Sequence, residues 1–134
     1  MENGTVPYEI KWDSHGAIRR FWGFVTSEDI RRSFNELHSH PSYNVLLCIL
    51  HDHSEMTGRD WGKDDVTLLG ANHLSASVGN PKLIDMVVTT DKDFIAFLEA
   101  SAVAKLLPQP IQFVATLSEG RKRYDEVIAS DINS

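Results

Sequence analysis

The sequence predicts an α/β protein with a mixed, mostly parallel five-stranded sheet that opens on a β-hairpin. Segments with strand-like patterns alternate with segments whose apolar residues recur at helical spacing, which is typical of βαβ units. The predicted order is β-β-α-β-α-β-α-β-α, with about four helices. The chain has 134 residues, of which 42% are hydrophobic and 24% charged, as in a globular domain. We therefore expect a single domain over residues 8–129, with a flexible arm at 1–7 and a tail at 130–134.

Two short strands joined by a turn predict the hairpin. Residues 8–12 alternate apolar and polar side chains, as a half-buried strand does. The polar cluster at 13–16 ends in glycine and is typical of a turn, and a second strand follows at 17–22. Because the first strand lies at the edge of the sheet and exposed edges invite pairing, we expect a homodimer.

The middle of the chain predicts two helices around a central strand. The first helix begins near the capping residues at 26–27 and ends before Pro41, which disfavours helical geometry in the residue before it. The unbroken apolar run at 45–50 predicts a strand that is covered on both faces. The polar, glycine-containing stretch at 51–62 predicts a loop, and a helix is predicted at about 64–76.

The remaining segments predict two more strands and two more helices. A strand is predicted at 83–88, and one helix that begins after Asp91 continues to about residue 106. A short strand at 111–115 and a closing helix at about 118–129 complete the domain. We expect the crossovers between parallel strands to be right-handed, as they are in nearly all βαβ units.

Charge and cysteine content narrow the class of protein. With 13 basic and 19 acidic side chains the net charge is −6, which disfavours binding to nucleic-acid phosphates. Cys48 is the single cysteine, so no intramolecular disulfide forms, and its apolar surroundings predict a buried thiol. The N-terminus lacks the pattern of a signal peptide, and no apolar run approaches membrane-spanning length. We therefore expect a cytoplasmic protein without a transmembrane segment.

Four segments together resemble the SpoIIAA-like superfamily. They are the opening strand at 8–12, the Phe-Trp-Gly-Phe-Val-Thr segment at 21–26, the strand end at 52–54 and the strand end at 87–91. This superfamily includes the STAS domains of anti-sigma-factor antagonists and shares its fold with CRAL-TRIO lipid-binding domains. The sequence looks most similar to a bacterial branch of unassigned function, and the resemblance implies the SpoIIAA-like fold.

The resemblance does not extend to the STAS phosphorylation site. STAS antagonists carry Asp-Ser-Ser-Gly before the helix that follows their third strand, and a partner kinase phosphorylates the first serine. The matching stretch here, at 60–63, is Asp-Trp-Gly-Lys and offers no hydroxyl, and the nearest hydroxyls belong to Thr57 and Thr67. The resemblance therefore implies a regulatory or protein-interaction module without that switch.

The candidate site begins with His51, Asp52 and His53, which follow the predicted central strand. Ligands of parallel α/β sheets bind at the carboxyl ends of strands, and His and Asp suit metal binding or proton transfer. On an extended segment the two histidines share a side and Asp52 points away. Zinc takes three or four protein ligands, so a metal site would need His73 from the next helix. Loop histidines with local hydrogen bonds and a ligand pocket are the alternatives.

Three residues of the following polar stretch complete the candidate ligand or partner surface. Asp60 offers a further carboxylate. Trp61 either folds back onto the core or contacts a partner, because Trp is enriched at interaction hot spots. Lys63 ends a glycine-containing segment before a helix, which is a weak anion-site pattern because it lacks P-loop spacing.

Three functional hypotheses follow. No nucleophile elbow or dinucleotide fingerprint is present, so we assign no catalytic residue, metal or cofactor. The first hypothesis is a non-catalytic regulatory or protein-interaction module. The second is a small-ligand or lipid-binding domain, and the third is a small hydrolase that uses a metal or His and Asp side chains. The expected partner is a protein or a small ligand, and no nucleic acid.

Overall fold

The computed structural model describes residues 6–132, without the side chains of residues 102, 103, 131 and 132. Most of the predicted arm therefore lies outside the described residues. The strands are β1 (Tyr8–Trp12), β2 (Gly16–Val25), β3 (Cys48–Arg59), β4 (Ile84–Val88) and β5 (Gln112–Val114). The helices are α1 (Ser27–Ser39), α2 (Lys63–Ser77), α3 (Lys92–Ala100), α4 (Ala102–Leu106) and α5 (Leu117–Ile132), with a 3₁₀ turn at Tyr43–Val45.

The strands form one sheet in the order β1-β2-β3-β4-β5. β1 is antiparallel to β2, and every other neighbouring pair is parallel. The predicted hairpin-led, mostly parallel five-stranded sheet is therefore confirmed. Among the described residues, no helix combines the length and the apolar character that crossing a bilayer requires.

The predicted loop at 51–62 is wrong, because β3 continues to Arg59. β2 is longer than predicted and pairs with this polar stretch as far as Val25 opposite Arg59. The register shifts around Gly23, whose φ of 67° lies in the left-handed region that favours glycine. The shift allows a polar segment that faces solvent to remain in the sheet, so polarity alone does not mark a loop here.

Two helical boundaries also differ from the prediction. The single helix expected from Asp91 to residue 106 is divided at Ser101, whose backbone is extended and whose hydroxyl donates to the carbonyl of Leu98 at 2.6 Å. The domain therefore has five helices instead of about four. α5 ends at Ile132 and not near residue 129.

The helices cover the two faces of the sheet unequally. α1, α2 and α3 pack on one face, where Ile30, Val66 and Phe94 join the largest buried apolar cluster. α5 packs on the other face through Tyr124. Because neighbouring strand residues point to opposite faces, β3 sends alternate side chains to the helix layer and to α5. Residues 49, 51 and 53 therefore belong to the α1–α3 side.

Gly120 fixes the distance between α5 and the sheet. A Cβ at this position would lie 2.8 Å from Val88 Cγ2, closer than real Cβ atoms approach, and 3.1 Å from Leu50 Cδ1, which is tighter than most real contacts. We expect Gly120→Val to lower the free energy of unfolding by about 2 kcal/mol, because overpacking outweighs the small gain in helix propensity. Urea denaturation measures the change.

The control places the same side chain on the opposite side of the helix. Lys122 is exposed on α5. Lys122→Val should therefore change the free energy of unfolding by only about 0.5 kcal/mol or less. Equal effects of the two substitutions would show that the contact at Gly120 does not limit how closely α5 packs.

Candidate functional site

The alternation along β3 separates the three residues at 51–53. His51 is buried under the helices, whereas Asp52 is buried on the α5 side and accepts a hydrogen bond from the backbone N–H of Ser54 at 2.9 Å. Asp52 therefore stabilises its own strand and does not join the histidines. His51 and His53 therefore face the helix layer and Asp52 faces α5, in agreement with the alternation predicted for an extended segment.

His51 instead meets a carboxylate from the neighbouring strand. Its Nε2 lies 2.7 Å from Oδ1 of Asp85 on β4, and Nε2 of His73 on α2 lies 2.9 Å from each Asp85 oxygen. All three residues are buried. The structure therefore brings together two of the predicted residues, His51 and His73, through an aspartate that the sequence analysis did not select.

Arg19 of β2 makes a hydrogen bond to the other ring nitrogen of His51. Its Nε donates to His51 Nδ1 at 3.1 Å and its Nη1 donates to the Ser33 hydroxyl at 2.8 Å. The guanidinium carbon lies 3.9 Å from the ring centroid of Phe34, in cation–π geometry. Arg19 is only 3% exposed, so a full positive charge is buried among hydrogen-bond acceptors and aromatic rings.

These contacts determine which nitrogen of His51 carries its proton. An arginine only donates, so Nδ1 of His51 accepts and Nε2 carries the hydrogen that is donated to Asp85. Burial lowers the pKa of Arg19 to about 9 and the pKa of His51 to about 4. At neutral pH the guanidinium is therefore charged and the imidazole of His51 is neutral.

Asp85 is the anion of this group. Burial alone would raise the pKa of its carboxyl, but His73 and His51 hold that pKa below its usual range through charge and hydrogen bonds. His38 of α1 extends the group, because its Nε2 lies 2.9 Å from His73 Nδ1. Arg19, His51, Asp85, His73 and His38 thus form a continuous chain of contacts, here named the buried network.

A cavity of about 80 Å³ lies beside the buried network, between the sheet and the α1–α3 layer. Arg19, His51, His73 and Asp85 provide its polar wall. Apolar side chains from all of the surrounding elements form the rest: Ile30, Phe34, Trp61, Val66, Leu69, Val87, Phe94, Leu98 and Ile111. The cavity is therefore apolar over most of its surface and charged at one end.

His53 lies between this cavity and a second, outer groove. It lines both the cavity and an outer groove of about 310 Å³ beyond the carboxyl ends of β3 and β4. Its half-buried ring packs edge-on against Phe21 and Trp61 and at a tilt against Phe94. Burial lowers the pKa of His53 to about 3, so the ring is neutral at pH 7.

Three side chains of the buried network are of the types that bind metal ions. One ligand atom each from His51, His73 and Asp85 lie within 4.8 Å of one another. A metal-bound histidine normally donates its second N–H to an acceptor, but here Arg19 donates to His51 and keeps the proton on the nitrogen that would bind metal. The positive guanidinium beside the histidine also disfavours a cation. The residues fit a hydrogen-bonded network better than a metal centre.

The other predicted residues have separate positions. Asp60 is exposed and accepts from the backbone N–H of Ser27 at 2.8 Å, so it stabilises the start of α1. Trp61 is 3% exposed and donates from Nε1 to the carbonyl of Val25 at 3.0 Å. Trp61 therefore folds back onto the core. Lys63 is exposed at the first residue of α2 and takes no part in the buried network.

Two features of the sequence could have indicated that Arg19 and Asp85 are buried polar residues. Asp85 interrupts the apolar strand at 83–88, and a carboxylate inside a covered strand needs a partner. Arg19 and Arg20 are consecutive in a strand, so one of them must face the core side. The sequence alone does not determine which one, because that depends on the pairing register with β3.

The fold and the site together define an α/β protein with a mixed five-stranded sheet and a buried polar network beside a mostly apolar cavity. The structure is similar to the anti-sigma factor antagonist SpoIIAA in its unphosphorylated form, with a TM-score of 0.61, 9% identity and coverage of 87% of this chain and 96% of that chain. It is also similar to a DUF3478 family protein with a SpoIIAA-like fold from Shewanella loihica PV-4, with a TM-score of 0.52 and 14% identity. That match covers 92% of this chain and 98% of the other.

These similarities confirm the predicted SpoIIAA-like fold. At 9% and 14% identity, these similarities support an inference about the fold but none about ligands or partners. No protein-family model and no curated protein sequence matches the chain. Function must therefore be argued from the site.

The buried histidines predict a loss of stability in acid. The folded-state pKa values are about 3 for His38, about 4 for His51 and about 3 for His53, against about 6.5 in an unfolded chain. Between about pH 6 and pH 4 the unfolded chain therefore binds more protons than the folded protein. We expect the free energy of unfolding to fall as the pH is lowered through this window, by about 1.4 kcal/mol per pH unit for each proton.

The substitution His53→Phe removes the contribution of one of these histidines to the pH dependence of stability. The ring of His53 packs among aromatic side chains and makes no hydrogen bond with the described residues. Urea denaturation at several pH values should give the variant a pH slope smaller than wild type by about one proton. At pH 8 all three imidazoles are neutral in both the folded and the unfolded state. The difference in free energy of unfolding between variant and wild type at this pH therefore measures the change in packing alone. An unchanged slope would mean that His53 titrates as it does in the unfolded chain.

Proposed function

We propose that this protein is a non-catalytic regulatory module that binds a small ligand in its internal cavity. The observation that carries the proposal is the cavity of about 80 Å³ with apolar walls and a buried charged end. Protein cores are packed as densely as organic crystals, so an unfilled space beside a buried arginine is costly. Ligand sites typically combine apolar walls with a few convergent polar groups.

The size of the cavity favours a small molecule over a lipid. On this measure a water-sized group needs about 10–15 Å³, so about 80 Å³ holds roughly six non-hydrogen atoms. A long acyl chain has two to three times as many atoms. This argues for the small-ligand form of the second hypothesis and against its lipid form.

The state of the reactive groups supports a non-catalytic role. Both ring nitrogens of His51 and both of His73 are held in hydrogen bonds of the buried network. The Ser33 hydroxyl accepts from Arg19 and donates to the carbonyl of Ile30 at 2.9 Å. Cys48 lies in the cluster on the α5 side, and burial raises its pKa to about 12. The imidazoles of His51 and His73, the Ser33 hydroxyl and the Cys48 thiol are therefore all engaged in structural contacts.

The fold supports the regulatory part of the proposal. One structural relative is an anti-sigma factor antagonist, and we propose a comparable role in protein interaction for this chain, in the cytoplasm. α1 and α2 both line the cavity, through Ile30 and Phe34 of α1 and Val66 and Leu69 of α2, and both have exposed outer faces. A ligand between these helices and the sheet would change what a partner meets on the surface.

Xenon tests whether the cavity admits a small apolar guest. We expect xenon to produce saturable shifts in the methyl NMR signals of Leu69 and Leu98, which line the cavity, and none in Leu50 on the α5 side. Val66→Phe, which fills the cavity with a ring, should abolish the shifts. Leu68→Phe adds the same ring to the exposed face of α2 and should preserve them.

Two results would contradict the proposal. One is the absence of saturable shifts at Leu69 and Leu98 in the wild-type protein, which would mean that the cavity is closed to guests. The other is equal xenon response in Val66→Phe and Leu68→Phe, which would place the bound xenon elsewhere. If Val66→Phe does not fold, the comparison of cavity methyls with Leu50 within one sample still decides.

We propose a homodimer through β1 as a separate feature. β1 forms one edge of the sheet, and its only strand neighbour among the described residues is β2. Full-length antiparallel pairing of two copies places Ile10 opposite Ile10, and Glu9 of each copy opposite Lys11 of the other. Opposite charges directly across an antiparallel pair are stabilising, so the strand is complementary to itself.

Charge exchange tests this pairing. Glu9→Lys and Lys11→Glu each place like charges opposite one another, and we expect each to weaken the dimer by about tenfold or more. The double variant Glu9→Lys/Lys11→Glu should restore dimerisation. Sedimentation equilibrium of the three variants and the wild type measures the effect. A monomeric wild-type protein, or a double variant no better than the single ones, would contradict it.

A further inference from the structure

We infer that the ligand of the cavity is a short-chain carboxylate, whose anionic group pairs with the free edge of the Arg19 guanidinium and whose apolar body fills the cavity. This inference rests on the proposed function and adds the chemical class of the ligand. The class follows from the charge state of Arg19, its unused hydrogen-bond donors, and the size and character of the walls.

The first step is the number of donors on Arg19. A guanidinium has five N–H groups in a planar fork, and the structure engages Nε with His51 and Nη1 with Ser33. Nη2 has no hydrogen-bond partner among the described residues. The only sealed side-chain nitrogen or oxygen without a partner in the described part of the chain is Nδ1 of His15. Nη2 of Arg19 is therefore not sealed, and the cavity is the space that Arg19 lines.

The second step is the missing counter-ion. Arg19 is 3% exposed and makes no ion pair within residues 6–132. The nearby carboxylate of Asp85 is held by His51 and His73, so it reaches Arg19 only through an imidazole. A buried charge without a bonded partner is costly, and an anion that enters the cavity would remove this cost.

The third step is the shape of the anion. Carboxylates pair with guanidinium in two parallel N–H···O bonds, and the free terminal nitrogen of Arg19 presents one side of this fork. A phosphate carries more charge and more oxygens than this single group satisfies, and the remaining walls are apolar. An ammonium ion is repelled by Arg19, and the Asp85 carboxylate that also lines the cavity is already engaged by His51 and His73. The site therefore selects one carboxylate on an apolar body.

The fourth step is the length of that body. About 80 Å³ accommodates roughly six non-hydrogen atoms, which is the size of a four-carbon acid. Butyrate has this size, and its propyl group would contact the side chains of Val66, Leu69 and Leu98. A longer chain exceeds this volume and would have to extend past His53, which also lines the outer groove.

The experiment compares three four-carbon probes of similar size with the full-length protein at pH 7. Butyrate carries the carboxylate, butyramide is its neutral counterpart, and n-butylammonium carries the opposite charge. We expect butyrate to bind about tenfold or more tightly than butyramide, as measured by NMR titration, and n-butylammonium not to bind. Only butyrate should shift the side-chain Nε–Hε signal of Arg19, and its methyl group should show NOEs to Leu69 and Leu98.

Two variants test the role of Arg19. Arg19→Met should reduce the affinity for butyrate to that for butyramide. Arg20→Met removes the neighbouring arginine, which pairs with Glu55 away from the cavity, and should leave butyrate binding unchanged. If Arg19→Met does not fold, the Nε–Hε shift and the NOEs in the wild-type protein decide the question.

The outcomes distinguish this inference from the proposed function. Equal binding of butyrate and butyramide, or a preference for n-butylammonium, would overturn the carboxylate ligand and leave the cavity function intact. Binding of xenon without binding of any four-carbon probe has the same meaning. Failure of xenon and of all three probes would overturn both. Butyrate binding that survives Arg19→Met would also overturn the pairing with Arg19.

Discussion

The buried guanidinium of Arg19 is the interaction on which the rest of the site depends. Its Nε–H determines the tautomer of His51, and that tautomer directs an N–H at Asp85. Asp85 then orients His73, which contacts His38. One arginine on β2 thus orders groups on two further strands and two helices. Without it, His51 would be free to present a lone pair towards Asp85, and the carboxylate would lose one of its two donors.

This network also lies beside the cavity on the α1–α3 side of the sheet. Polar groups in a fixed hydrogen-bond geometry do not adjust their positions to fill space as aliphatic side chains do. On the α5 side, Leu50, Val88 and Val114 pack directly against Gly120. On the other side, Arg19 and Asp85 line the cavity together with side chains of α1, α2 and α3. The same residues that order the buried network therefore line the space for a ligand.

The sequence predicted the architecture well because the apolar pattern of strands and helices is a local signal. It failed at residues 51–59, since the pairing of this polar stretch with β2 is not visible locally: its first two residues are polar but buried, and only the later ones reach solvent. His51 and His73 were selected for their chemistry, but the residues that join and orient them were not. Asp85 and Arg19 lie within strands, and the direction of each side chain depends on register, which is a tertiary property.

The cavity on the α1–α3 side also affects how the protein responds to hydrostatic pressure. Hydrostatic pressure favours states of smaller volume, and internal voids are the main volume that unfolding removes. The contact at Gly120 leaves little to compress between α5 and the sheet, whereas the space beside Arg19 is available to collapse or to fill with water. Compression would therefore act first on α1, α2 and α3, while α5 and the parallel strands remain associated.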